Sequence, residues 1–159
     1  MEHAISRPVP EAAVSWYHDN LAWPVRWEQE SVVLPLGHGI VAFDVPAGRA
    51  RVALEQLAYT NCSTPVLYLV GPECRVIILA ESDETVFGQF QMPERARYLA
   101  APRCLRLPVM PSPGTGALRW LREPDPKRRW LPRAGAVLSA VTTALGIVSS
   151  AAEHQGPSS

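Results

Sequence analysis

A single domain of α+β or mixed α/β structure, with a mixed sheet flanked by helices, is the fold class this sequence predicts. Three observations predict it. The chain has 159 residues, 47% of them apolar and 19% charged, which suffices for one sizeable core and leaves little room for a second. Short aliphatic runs, Ser31–Leu36, Gly39–Val45 and Arg75–Ala80 among them, are bounded by proline and glycine. Amphipathic helical stretches lie between those runs, an order that argues against a sandwich or a bundle. Disorder throughout is excluded, because it needs few apolar residues and a large net charge.

The first helix is expected from Pro10 to about Asn20. Pro10 suits the first helical position, Glu11 favours the positive end of the dipole, and Ala13, Val14, Tyr17 and Leu21 form one stripe that Trp16 widens. Trp23-Pro24-Val25 then breaks the helix and begins an extended segment. Ser31–Leu36 and Gly39–Val45 read as strands joined by a tight Gly37-His38-Gly39 turn. The second is nearly continuous in apolar residues, as in a central strand covered on both faces. Gly48–Tyr59 reads as an amphipathic helix with Val52, Leu54, Leu57 and Ala58 inward. Pro65–Val70 and Arg75–Ala80 follow as a hairpin across Gly71-Pro72, then a short helix over Asp83–Phe90. Arg97–Ala100, Cys104–Leu107 and Ala117–Leu121 complete the strands.

The tail from Ala134 to Ala152 lacks any charge and follows Lys127-Arg128-Arg129 and Arg133, a flank that a membrane anchor could share. Its six strong apolar residues cluster near one face, so a helix packed on the domain is the expectation, and no membrane partner. The organisation is then a flexible 1–9, a domain over 10–131, a terminal helix over 132–152 and a disordered 153–159. Three cysteines cannot form an all-paired disulfide framework, and the first residues show no charged segment followed by an apolar one. The expected compartment is the reducing cytoplasm.

Charge is distributed unevenly beneath a formal total of zero. Residues 1–94 hold 5 basic and 12 acidic side chains, whereas residues 95–133 hold 10 basic and 2 acidic ones. Such asymmetry can mark an anionic partner. The excess of 14 Arg over one Lys reads more simply as a GC-rich coding bias.

Familiar catalytic motifs are absent: no Walker-type loop, no G-x-G-x-x-G, no G-x-S-x-G and no H-E-x-x-H. Cys62, Cys74 and Cys104 never form C-x-x-C, which argues against a zinc ribbon, and Cys74 and Cys104 read as buried, inert thiols. His18 and His38 read as solvated surface residues, and His3 and His154 fall in fraying ends. Glu81, Asp83 and Glu84 could hold a cation but read more simply as an exposed turn and the acidic first turn of a helix. Asp44 stands out. It ends a buried strand and precedes a helix, where α/β folds place working groups.

Several segments share a pattern: Trp16-Tyr17 with Trp23-Pro24-Val25; Ile40–Pro46 with Gly48 and a helix through Leu57; Val66–Tyr68 with Cys74–Leu79; and Leu107–Ser112, Gly114, Gly116 and Leu118-Arg119-Trp120. Together, over residues 12–124, they resemble the amino-terminal domain of bifunctional DNA primase–polymerases, the Prim-Pol group of the archaeo-eukaryotic primase superfamily. The resemblance lies in that family's helix ending in G-W-P-V, its strand with D-x-D, its histidine-bearing hairpin and its A-P-P-S … G … Y-R-W ending. Such polymerases hold two divalent metals, Mg2+ or Mn2+, on acidic side chains. Here Asp44 matches the first acid, but the second position is Pro46, which cannot ligate a metal. Arg75 stands where the histidine would contact nucleotide phosphates. No Asp or Glu lies between Arg95 and Arg122 to supply a third acid.

The resemblance therefore implies a degenerate scaffold with no catalytic residues and no cofactor, which binds single-stranded nucleic acid or a nucleotide. Arg75, Arg103, Arg106, Arg119, Arg122, Lys127, Arg128 and Arg129 are the expected phosphate contacts, with Trp120 or Trp130 as stacking platforms. Arg106 and Arg119 could point the same way if they lie on neighbouring strands. Two alternatives stand beside this reading. One is a protein–protein interaction module on the same scaffold, since a pI of 6.9 lies well below the value of about 9 typical of nucleic-acid domains. The other is an active primase–polymerase using Glu73, Glu81 or Asp83.

Overall fold

A computed structural model describes residues 10–37, 39–58, 64–82, 92–93, 95–110 and 116–154. The expected helix over Asp83–Phe90, His3, His38, Cys62, the Pro111–Gly114 part of the shared pattern and both chain ends lie outside them.

Helix α1 (Pro10–Leu21) buries Ala13, Tyr17 and Leu21. It stops where Ala22 takes a left-handed φ of 57°, and the Asn20 amide turns back to donate to the Trp16 carbonyl at 2.8 Å. The extended segment after Trp23-Pro24 becomes β1 (Arg26–Glu28), which pairs antiparallel with β2 (Ser31–Pro35). Gln29 and Glu30 join them with φ values of 49° and 60°, both positive, as a tight two-residue hairpin turn requires.

The chain then leaves that sheet. Gly37 and Gly39 have φ of +104° and +86°, and a Cβ on Gly37 would sit 2.5 Å from the Ala101 Cβ. Only glycine fits there without movement. The expected turn is therefore present, but it sends β3 (Ile40–Pro46) into a different sheet from β2.

Helix α2 (Ala47–Leu57) follows β3 directly, with the Ala47 amide donating to the Cys74 carbonyl at 2.9 Å. Strands β4 (Val66–Leu69) and β5 (Arg75–Glu81) form the expected hairpin. Next come β6 (Arg97–Leu99), β7 (Cys104–Leu107), β8 (Leu118–Arg122) and helix α3 (Ala134–His154). The terminal helix thus begins and ends two residues later than 132–152, and its backbone is helical through His154.

The fold is α+β, with one correction: the described residues form two antiparallel sheets and not a single mixed one. The smaller has the order β1-β2-β7 and the larger β6-β3-β5-β4-β8. Antiparallel order follows from the hairpin. Helix α2 carries the chain past β3 to β4, and β5 then returns into the gap between them, running against both. The only parallel pairing among the described residues is an isolated bridge between Glu81 and Arg133.

Strand β3 is buried on both faces except at Asp44, as its unbroken apolar run predicts. Ile40 and Ala42 face α1 and the smaller sheet, joining Leu34, Leu67, Leu79 and Trp120 in one core. Val41, Phe43 and Val45 face α2 and α3, in a second core with Leu54, Ile78 and Val137. Each fully buried side chain of this size contributes about 1.5–3 kcal/mol. Helix α3 packs Ala134, Val137, Ala140, Val141 and Ala144 into the second core, so the first three turns of the charge-free tail dock on the domain. Among the described residues no helix is long and apolar enough to cross a membrane.

Candidate functional site

Alternation along the strands decides where each predicted site residue goes. Asp44 lies between Phe43 and Val45, so it projects to the face of the larger sheet opposite α2 and α3. Arg75, which starts β5, meets it there. Its Nε donates to Asp44 Oδ1 at 2.7 Å, and both side chains are only about a fifth exposed. The same guanidinium donates to the Asp44 carbonyl at 3.3 Å and to the Arg95 carbonyl at 2.8 Å, and lies 3.6 Å from Glu73 Oε1. Arg95 reaches that Glu73 oxygen at 3.4 Å. The structure brings Asp44 and Arg75 together, but against each other. The carboxylate is neutralised by an adjacent cation, and the donors expected to meet phosphate are occupied within the chain.

Trp120 requires a correction. In Leu118-Arg119-Trp120-Leu121-Arg122 it shares the inward face with Leu118, and it is 7% exposed. Its Nε1 donates to the Tyr17 hydroxyl at 3.1 Å, and that hydroxyl donates to the Pro108 carbonyl. Trp23 stacks on Tyr17 at 5.9 Å and tilts against Trp120 at 6.3 Å. Burial pushes the Tyr17 hydroxyl well above the usual tyrosine range, against the opposing pull of the Trp120 hydrogen bond. A nucleobase cannot stack on Trp120.

The remaining arginines separate into three groups. Arg119 and Arg122 lie on β8, an edge of the larger sheet, on the α2 side. Arg106 lies on β7 in the smaller sheet, opposite Val33. It therefore does not neighbour Arg119, and the two do not share a face. Arg103, Arg128 and Arg129 belong to a third region. The Arg103 carbonyl accepts from the Leu36 amide at 3.0 Å, and the Gly37 amide donates to the Ile40 carbonyl at 2.9 Å. Gly39 and Ile40 in turn line a cavity of about 310 Å³ together with Trp23, Glu81, Arg129 and Trp130. The Arg103 backbone is thus bonded to the segment that leads through Gly37 and Gly39 into this cavity, where Trp130 is 78% exposed. Among the described residues, Arg103, Arg128 and Arg129 form no ion pair with a carboxylate.

The thiols also depart from expectation. Cys104 is exposed, with Arg26 Nη2 at 3.6 Å from its Sγ, and Cys74 is half-exposed. A hydrogen bond from the Tyr68 hydroxyl, and then one from the Gly71 backbone, hold the Cys74 thiol below its ordinary range, while the same contact raises Tyr68. Arg119 lies over the Tyr68 ring at 4.8 Å. This trio was not among the expected site residues, although strand alternation across the Gly71-Pro72 turn puts positions 68 and 74 on one face.

His18 is exposed and its Nε2 lies 2.9 Å from the Val25 carbonyl, in keeping with a surface histidine. Among the described residues no three His, Cys, Asp or Glu side chains converge as a metal site. Glu81 is exposed, and Asp83 and Glu84 lie outside those residues. No family model, no curated protein and no solved structure matches the chain.

Proposed function

We propose that this domain binds single-stranded nucleic acid or a nucleotide, in a reducing cytoplasm, and does not polymerise it. The observation that carries the reading is Trp130, a 78% exposed indole beside Arg129 at the mouth of a cavity, with Arg128 adjacent in sequence and the Arg103 backbone bonded to the segment that leads into it. An indole exposed to this degree buries little of its surface in the fold. Stacked on a base it contributes about 1–3 kcal/mol, while the arginines follow the phosphates. The primase–polymerase resemblance gives the same ligand class, and the Asp44–Arg75 pair supports the inactive half of the reading. A carboxylate whose Oδ1 is held at 2.7 Å by a guanidinium already has its charge compensated, which weakens its hold on Mg2+ or Mn2+, and the Pro46 side chain offers no second ligand.

The test is retention on single-stranded DNA across a salt series. Binding should weaken with salt, and the log–log slope should fall by about 0.7 for each phosphate-contacting arginine removed among Arg103, Arg128 and Arg129. Arg106→Ala, on β7 of the smaller sheet opposite Val33, should leave the slope unchanged. Absence of binding at low salt would sink the proposal. Metal-dependent primer synthesis that disappears in Asp44→Ala would overturn the claim of inactivity.

A further inference from the structure

The larger sheet has an open end. Strand β8 pairs with β4 on one side, and among the described residues nothing pairs with its other edge. Helices α2 and α3 cover β3 and β5 on that face and stop short of β8, leaving a groove between α2 and the edge strand. The groove has a volume of about 430 Å³. Ala50 and Leu54 of α2 form one wall, Tyr68 and Val76 the floor, and Leu121 and Arg122 the other wall. Leu121 is 47% exposed at its mouth.

We propose that this groove takes an extended, acidic segment of a partner protein, added to the free edge of β8 as a further antiparallel strand. An unpaired edge supplies main-chain hydrogen bonds to an incoming strand, and a groove beside it reads alternate side chains. Charge identifies the occupant. Arg119 and Arg122 lie along the edge, whereas on the helical wall Arg51 and Glu55 pair with each other at 3.1 Å and compensate one another. A second copy of β8 carries two arginines and no carboxylate, so it offers these cations no partner, which disfavours self-association. An incoming strand with Glu or Asp beside Arg119 and Arg122 and an apolar residue beside Leu121 satisfies both the charges and the floor.

The proposal is tested with the full chain and a labelled short peptide built around Glu-Val-Thr-Glu, whose two acids meet Arg122 and Arg119 and whose valine meets Leu121 in the antiparallel register, followed by fluorescence anisotropy and amide hydrogen exchange. The peptide should bind, and it should slow exchange at the amides of Leu118–Arg122. Arg122→Glu, and separately Leu121→Asp, should weaken it by about tenfold or more, since like charges or a desolvated carboxylate then face the ligand. Arg122→Gln serves as the milder variant if the reversal perturbs folding, with a smaller loss in the same direction. Arg106→Glu, on the other sheet, should change nothing. Equal binding of the same peptide with lysine in place of glutamate, or an affinity indifferent to both Arg122 variants, overturns the proposal. So does protection of the β8 amides by oligothymidylate and not by the peptide, which would assign the groove to nucleic acid.

Discussion

On one face of the five-stranded sheet, Tyr17, Trp23 and Trp120 stack and hydrogen-bond beneath α1 and the smaller sheet. On the other, Ala50, Ala53, Ala134, Ala140 and Ala144 let α2 and α3 approach each other and the strands closely. The first face is directional: its aromatics carry polar atoms that need named partners. The second depends on fit, because small side chains leave no slack. The difference also explains the surfaces. Bulky aromatics reach the edge of the sheet and seal β8 from below, whereas the close-packed helices leave its upper side open.

Truncating the aromatic face should have the largest effect. Trp120→Ala is expected to cost about 3–5 kcal/mol in urea unfolding, and a loss below about 1 kcal/mol would show that Trp120 is not a core residue. Overpacking probes the other face. Ala53→Leu should cost about 1–3 kcal/mol by forcing α2 from α3, and a neutral result would mean the helices have room to spare.

Tyr17→Phe tests direction rather than volume, since it leaves the Trp120 indole and the Pro108 carbonyl without their partner. A loss of about 1–2 kcal/mol is expected in the same assay. The hydroxyl carries a pH signature as well. Its folded pKa is raised, so its contribution is fully present below the ordinary tyrosine value of 10.0 and declines as pH rises above it. In Tyr17→Phe that alkaline decline should be reduced, and an unchanged pH profile would place the titration elsewhere. The smallest effect on stability belongs to Trp130→Ala, within about 0.5 kcal/mol of the parent. A larger loss would make Trp130 part of the fold.

Much of this architecture was legible from local pattern. Pro10 and Glu11 mark α1, the run from Ile40 marks β3, and Gly71-Pro72 marks the hairpin, because each signal acts within a few residues. What was not legible depends on partners distant in sequence. Gln29-Glu30 lacks the Asn-Gly chemistry of a tight hairpin turn, so β1 passed unseen. Gly37 and Gly39 announce a turn but not that it leads into a second sheet. The Asp44–Arg75 pair spans 31 residues and needs the β3–β5 register, which no spacing rule supplies. Trp120 is the exception: it alternates in step with Leu118, a local signal for the inward face, yet it was expected as an exposed stacking platform.

The central claim concerns Trp130 and is most directly tested by titrating the chain with oligothymidylate at low salt while following tryptophan fluorescence. Stacking on the exposed indole predicts saturable quenching in the parent, abolished in Trp130→Ala, with affinity reduced by about tenfold or more. Equal quenching and equal affinity in the two proteins would contradict it.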